Sequence, residues 1–181
     1  ATFNTPFAGA LFAVEVVLGD FGTARISPIV IASVVATVIS RHYAGDFPHL
    51  DVPEFMETIN LITIWPYFVV GIACAFISVL FIRSLRLGWS LSTRWPFSPY
   101  LLPAFGGLLV GCTGLFLPHV YGVGYDTINH LVDGQFSLGL LGAILVAKIF
   151  ATSATLTSGG SGGIFAPSLF LGAVVGSFLG R

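Results

Sequence analysis

Six apolar segments, running roughly from 3 to 18, 26 to 40, 59 to 82, 99 to 118, 136 to 157 and 164 to 180, take up most of this 181-residue chain. Their lengths are uneven. A helix perpendicular to a bilayer needs about 20 residues to cross a hydrocarbon layer of ~30 Å. The first two segments and the last are marginal or too short. Short, interrupted spans recur in transporters, where half-helices end near the midplane around a substrate.

Composition supports the membrane reading. The chain is 55% hydrophobic and 8% charged, whereas soluble domains carry roughly 25% charged residues. The sequence therefore predicts an all-α, integral, multi-pass membrane protein of a plasma or inner membrane, with the lipid bilayer as its surroundings. A net charge of -1 without a run of Lys or Arg argues against nucleic acid as a partner. Cys74 and Cys112 lie within apolar segments and read as packing residues, because no second ligand accompanies either. The chain opens within two residues of an apolar run and shows no signal-peptide pattern. It is expected to be a piece of a longer protein.

Several helix starts are marked. Asn4-Thr5-Pro6, Ser27-Pro28 and Ser98-Pro99 each place a capping side chain ahead of a proline suited to a first helical turn. Gly106, Gly107, Gly111, Gly114 and the pair Gly172 and Gly176 are expected to let helices approach closely. If the first four segments each cross once, Arg25, Arg83, Arg86 and Arg94 share one side. Arg41 lies on the other among Asp46, Asp51, Glu54, Glu57, Asp126 and Asp133. Basic residues accumulate in the cytoplasm. The arginine-bearing loop near 83 to 98 is thus assigned there and the loop 41 to 58 outside, with His42 and His49 as ordinary solvated histidines.

The stretch Ser158-Gly159-Gly160-Ser161-Gly162-Gly163-Ile164-Phe165-Ala166-Pro167 joins two apolar segments and holds no charge. Four glycines, two serines and a proline here predict a helix break inside the membrane. Such a break presents backbone N–H groups at the start of the next helix, where the helix dipole adds positive potential and anions bind. From Gly134 to Gly180 there is no acidic residue, and Lys148 is the one charged side chain. A carboxylate near a bound anion would repel it strongly in a medium of low dielectric constant. Periodicity alone also allows a glycine hinge that lets two helices pack. A nucleotide loop fits poorly, since no Lys-Ser or Lys-Thr follows the glycines.

Gly163-Ile164-Phe165-Ala166-Pro167, with Ser158 to Gly162 ahead of it, resembles the chloride-coordinating motif of the CLC family of chloride channels and chloride/proton exchangers. Two more stretches resemble the family in order and spacing. One is Phe3-Asn4-Thr5-Pro6-Phe7-Ala8-Gly9-Ala10-Leu11-Phe12-Ala13-Val14-Glu15. The other is Gly122-Val123-Gly124-Tyr125 with Gly134-Gln135-Phe136-Ser137, a loop and short helix before the penultimate segment. The resemblance covers essentially the whole chain. It implies a partial CLC-type bundle of tilted, broken and re-entrant helices, with residues 1 to 181 as the central part of the transmembrane domain, ending one half-repeat and starting the next.

The resemblance also implies roles. Backbone amides of Ile164 and Phe165 would contact a bound chloride, with Gly162, Gly163, Ala166 and Pro167 shaping the motif. No cofactor or metal is implied beyond the chloride ion. The parent would be a homodimer with one pore in each subunit, and segments 6 to 18 and 26 to 40 would form part of its interface. The family's serine motif, gating-glutamate motif and late tyrosine fall outside these residues. Glu15 is a proton-pathway candidate because an intramembrane carboxylate is costly, with a helix end at the cytoplasmic surface as the plain alternative. Proton-coupled members carry a second glutamate directly after it, and Val16 stands there. A valine cannot carry a proton, so the reading is passive chloride conduction with chloride/proton antiport as the alternative.

Lys148 either attracts anions or snorkels along its stem to an interface, and its place midway along a segment that starts at a surface favours snorkelling. A carrier of small organic anions would want a basic residue near the midplane, and Lys148 is the one available. A non-conducting assembly unit is a further alternative for the isolated piece. An enzyme is not expected, since no His, Cys or Asp cluster has ligand spacing and no Ser shares a segment with a His partner.

Overall fold

The computed structural model describes residues 5–19, 23–45, 61–96, 98–132 and 136–180. The described residues form helices and turns only, so the all-α expectation holds among them. The chain divides into two compact units, residues 1–51 and 52–181. His49, Asp46, Asp51, Glu54, Glu57 and Asp133, placed outside by charge, lie beyond the described residues.

The first unit is a helical pair. Helix α1, Pro6–Phe12, begins with proline at its first position and Thr5 at the cap, although Thr5 makes no side-chain capping bond. It runs on as a π-helical turn over Ala13–Leu18 that ends at Gly19 in the left-handed region (φ 62°). Helix α2 spans Thr23–Ala44. Its start corrects the Ser27-Pro28 expectation. Pro28 lies inside the helix, where the missing N–H removes one intrahelical bond, a defect that membrane helices tolerate. The two helices are tied by Ser33, whose Oγ donates to the Pro6 carbonyl at 2.7 Å. Gly9 permits this approach: a β-carbon there would lie 3.2 Å from the same Oγ. His42 is exposed, with its ring edge-on to Tyr43.

The second unit is built on α3, Leu61–Thr93, 33 residues long. The sequence placed its end at 82, but Arg83 and Arg86 are good helix formers and carry the helix through the expected loop. A 33-residue helix is about 50 Å long, well beyond the ~30 Å hydrocarbon layer. Ser98-Pro99 opens a 3₁₀ turn, Pro99–Leu101, in which the Leu101 N–H bonds to the Ser98 carbonyl. Helix α4, Leu102–Phe116, follows with a proline in its first turn. A second 3₁₀ turn, Pro118–Val120, leads to the short helix α5, Tyr125–Val132. Helices α6, Leu138–Thr157, and α7, Phe165–Leu179, complete the unit. Ser137 caps α6 by accepting a bond from the Leu140 N–H.

Helices α3, α4 and α6 meet at small residues. A β-carbon on Gly88 of α3 would lie 2.7 Å from Thr157 Oγ1, and one on Gly106 of α4 would collide with Ser158. Gly114 is occupied in the same sense by the Tyr121 ring. Gly107, Gly111, Gly172 and Gly176 have no described atom within 4 Å of such a carbon, so of the six expected Gly106 serves close helix approach, while Gly114 admits the Tyr121 ring from the turn after α4. Both cysteines are free. Cys74 is half-buried, as a packing residue would be, whereas Cys112 is exposed on α4. Among the described residues, three helices, over Ile26–Tyr43, Ile64–Thr93 and Leu138–Thr157, are long and apolar enough to cross a membrane.

Candidate functional site

The break after α6 has an exact local cause in backbone geometry. Ser158 is the C-cap, and Gly159 adopts φ +85°, a left-handed conformation that costs a glycine little. The Gly159 N–H bonds to the Leu156 carbonyl and the Gly160 N–H to the Thr155 carbonyl, at 3.3 and 2.9 Å. This pair of bonds is a Schellman motif, and it satisfies the last carbonyls of α6. Gly160 is required by space as well, since a β-carbon would lie 2.9 Å from the Thr155 carbonyl oxygen. Gly162 would meet only ordinary contacts, and Gly163 none at all. The first two glycines of the four thus build the break, and the last two leave room beside it.

Helix α7 starts where expected. Ile164 is its N-cap and Phe165 its first residue, both with side chains about half exposed. Ser168 secures the first turn, donating to the Ile164 carbonyl through its N–H at 3.1 Å and its Oγ at 2.8 Å. Pro167 has no N–H, so the donors at the helix mouth belong to the residues before it.

Gly162, Gly163, Ala166 and Pro167 line one cavity of about 360 Å³ together with Lys148. Ile164 and Phe165 are not among its lining residues. The remaining walls come from α6, Ser161, Val110 of α4 and the stretch Val120 to Val123. Ser161 of the glycine stretch brings a hydroxyl to it, as do Thr152 and Thr155, which sequence reading did not single out. The signal was available: Lys148, Thr152 and Thr155 are spaced by four and three, one face of a helix.

Lys148 does not snorkel. Its side chain is 2% exposed, and its ammonium donates to the Val120 and Gly122 carbonyls at 2.9 Å each. The same nitrogen lies 4.7 Å from the centre of the Phe170 ring, a cation–π contact. Two carbonyl dipoles and an aromatic face hold the charge inside, where an apolar stem reaching for the interface would leave them unmatched. The loop closes over it through Gly122 and Gly124, both at positive φ (62° and 85°). At Gly124 a β-carbon would lie 2.6 Å from Phe170. Beneath the loop, Val120 packs with Ala147 and Ala151. Glu15, in the first unit, is exposed within the π-helical turn, and Val16 after it is also exposed.

The family profile described as voltage gated chloride channel matches residues 1–181. A ClcB-like chloride channel protein of Ralstonia nicotianae is 31% identical over 185 residues, covering 99% of this chain and 42% of the relative. The voltage-gated ClC-type chloride channel ClcB of Salmonella typhimurium is 30% identical over 179 residues, with 99% and 43% covered. Its counterpart in Escherichia coli O17:K52:H18 is 29% identical over 181 residues, with 100% and 43% covered. The chain therefore spans less than half the length of these curated relatives. A helical membrane chain that ends one helix in a glycine break, opens the next at Gly-Ile-Phe-Ala-Pro and matches this profile from end to end belongs to the CLC family of chloride channels and transporters.

Proposed function

We propose that the break between α6 and α7 forms one wall of a chloride site, with the Ile164 and Phe165 amides as its donors, in a pore that conducts chloride passively. The observation that carries the reading is the glycine break that opens α7 with Ile164 as its N-cap and Phe165 as its first residue, while the flanking Gly162, Gly163, Ala166 and Pro167 line a cavity shared with the buried cation Lys148. Nothing acidic lies between Gly134 and Gly180 to oppose an anion there. Gly163 supports it too, because no described neighbour fills the space where its side chain would be. A backbone without a β-carbon lets a ligand approach.

Passive conduction rests on Val16, which offers no proton site after Glu15. The relatives named as chloride channels fit that reading. The parent protein supplies the rest of the pore, and the present residues are the central part of its transmembrane domain. Exposed apolar side chains on α1 and α2, such as Phe7, Leu11 and Val38, suit cover by lipid or by a second subunit in a homodimer.

Two measurements on the full-length protein test the proposal. Bromide-soaked crystals are expected to show anomalous density at the Ile164 and Phe165 amides, and an empty site would refute the chloride reading. In planar bilayers the reversal potential is expected to follow the chloride gradient alone. A shift with a pH gradient at fixed chloride would make the protein a chloride/proton antiporter.

A further inference from the structure

A second cavity, of about 260 Å³, lies where the last turns of α3 meet the start of α4 and the end of α6. Its walls are Leu87, Leu91, Phe105, Leu109 and Phe150, with Trp95 packed against Phe105 at 5.1 Å between ring centres. The hydroxyls that face it are already spent. Ser84 donates to the Phe81 carbonyl and shares a bond with Ser153, Thr157 donates to Ser153, and Ser158 donates to Thr155. Apart from the Trp95 indole N–H, such a space offers a guest mainly apolar contact.

Two arginines are sequence neighbours of its lining residues. Arg83 lies one helical turn before Leu87 on the same edge of α3, and Arg94 immediately precedes Trp95; both are exposed. From Leu61 to Tyr125 the sequence contains no Asp or Glu. Because α3 is longer than the hydrocarbon layer, its arginine-bearing third, with exposed Trp89 and neighbouring Trp95, is the part suited to the headgroup boundary. An apolar slot near arginines, in a stretch of sequence without acids, would suit a molecule with an apolar tail and an anionic head.

We propose that this cavity is a binding site for one acyl chain of an anionic phospholipid, whose headgroup is drawn by the arginines at this end of α3, Arg94 beside Trp95 and Arg83 farther along the helix. The tail would end against Thr157 and Ser158, the last residues of α6 before the glycine break. Binding itself stands independently of whether the break holds chloride.

The test uses full-length protein in phosphatidylcholine vesicles containing either brominated phosphatidylglycerol or brominated phosphatidylcholine. Trp95 emission is taken as the difference between the parent and Trp95→Phe. Brominated phosphatidylglycerol is expected to quench it several-fold more strongly at equal mole fraction. Arg83→Gln combined with Arg94→Gln should abolish that preference, and Ala154→Leu, which fills the cavity from α6, should reduce quenching by both lipids. Native mass spectrometry gives a readout that does not depend on the tryptophan variant: the parent should retain one more phosphatidylglycerol than Ala154→Leu. Equal quenching by the two lipids would overturn the anionic assignment. Absence of quenching together with no difference in retained lipid would show that another part of the parent chain fills the cavity, and would overturn the proposal.

Discussion

Ser84 of α3 and Ser153 of α6 share a hydrogen bond of 2.7 Å between their hydroxyls, one turn ahead of the point where α6 breaks. Lipid offers neither hydroxyl a competing partner, yet coupling of this kind in membrane bundles averages only about 0.6 kcal/mol, because the separated helices find other acceptors. A double-mutant cycle of Ser84→Ala and Ser153→Ala in the full-length protein is expected to give a coupling of about 0.5–1.5 kcal/mol in unfolding free energy. Strict additivity would show that the pair does not hold α6 in place.

The glycines of the break separate into two kinds by substitution. Gly159→Ala places a β-carbon at φ +85° and is expected to destabilise by about 1 kcal/mol or more. Gly163→Ala enters open space and should leave thermal stability unchanged while weakening bromide binding, measured by calorimetry. Equal loss of stability in both variants would mean that Gly163 serves packing and not a ligand.

Lys148→Met keeps the apolar stem and removes the donors to Val120 and Gly122. An unpaired buried carbonyl costs about 1–3 kcal/mol, so a loss of that order in stability is expected, read as a lower thermal midpoint. Bromide affinity should fall as well, since the cavity loses its cation. Lys148→Arg should restore affinity more fully than stability, because a planar guanidinium cannot reproduce the two carbonyl bonds with the same geometry. Unchanged anion affinity in Lys148→Met would confine the lysine to a structural role.

Glu15→Gln removes the carboxylate that precedes Val16. In a passive pore the reversal potential of this variant and of the parent should be the same, with or without a pH gradient. Val16→Glu adds a titratable group, and current through it is expected to become sensitive to pH on one side of the bilayer. Loss of a pH-dependent component in Glu15→Gln would instead make Glu15 a proton carrier.

Much of this architecture was legible in the residues. Apolar runs located α1, α2, α4, α6 and α7 to within a few residues, because a helix surrounded by lipid satisfies its backbone internally and stays apolar along its length. The reading failed where a tertiary contact or the membrane overrides a local signal. Pro28 suggested a start, and α2 runs through it from Thr23. Arg83 and Arg86 suggested a loop, and α3 continues past them to Thr93, seating Gly88 against Thr157. The start of α7 at Phe165 followed from the glycine break, whereas the loop that captures Lys148 did not. Its carbonyls are 26 and 28 residues away in sequence, and a carbonyl carries no sequence signature.

Burying Lys148 in an acid-free region has an energetic consequence for the empty state. Among the described residues, the positive charge is met by dipoles and a ring, never by a carboxylate. In the proposed pore the ion in transit becomes the counter-ion of the protein's own interior. Cargo and fold are then thermodynamically linked: halide at a hundred times its dissociation constant would stabilise the folded state by about 2.7 kcal/mol. Such a protein is most robust while loaded, and each departing chloride briefly returns it to its least stable form.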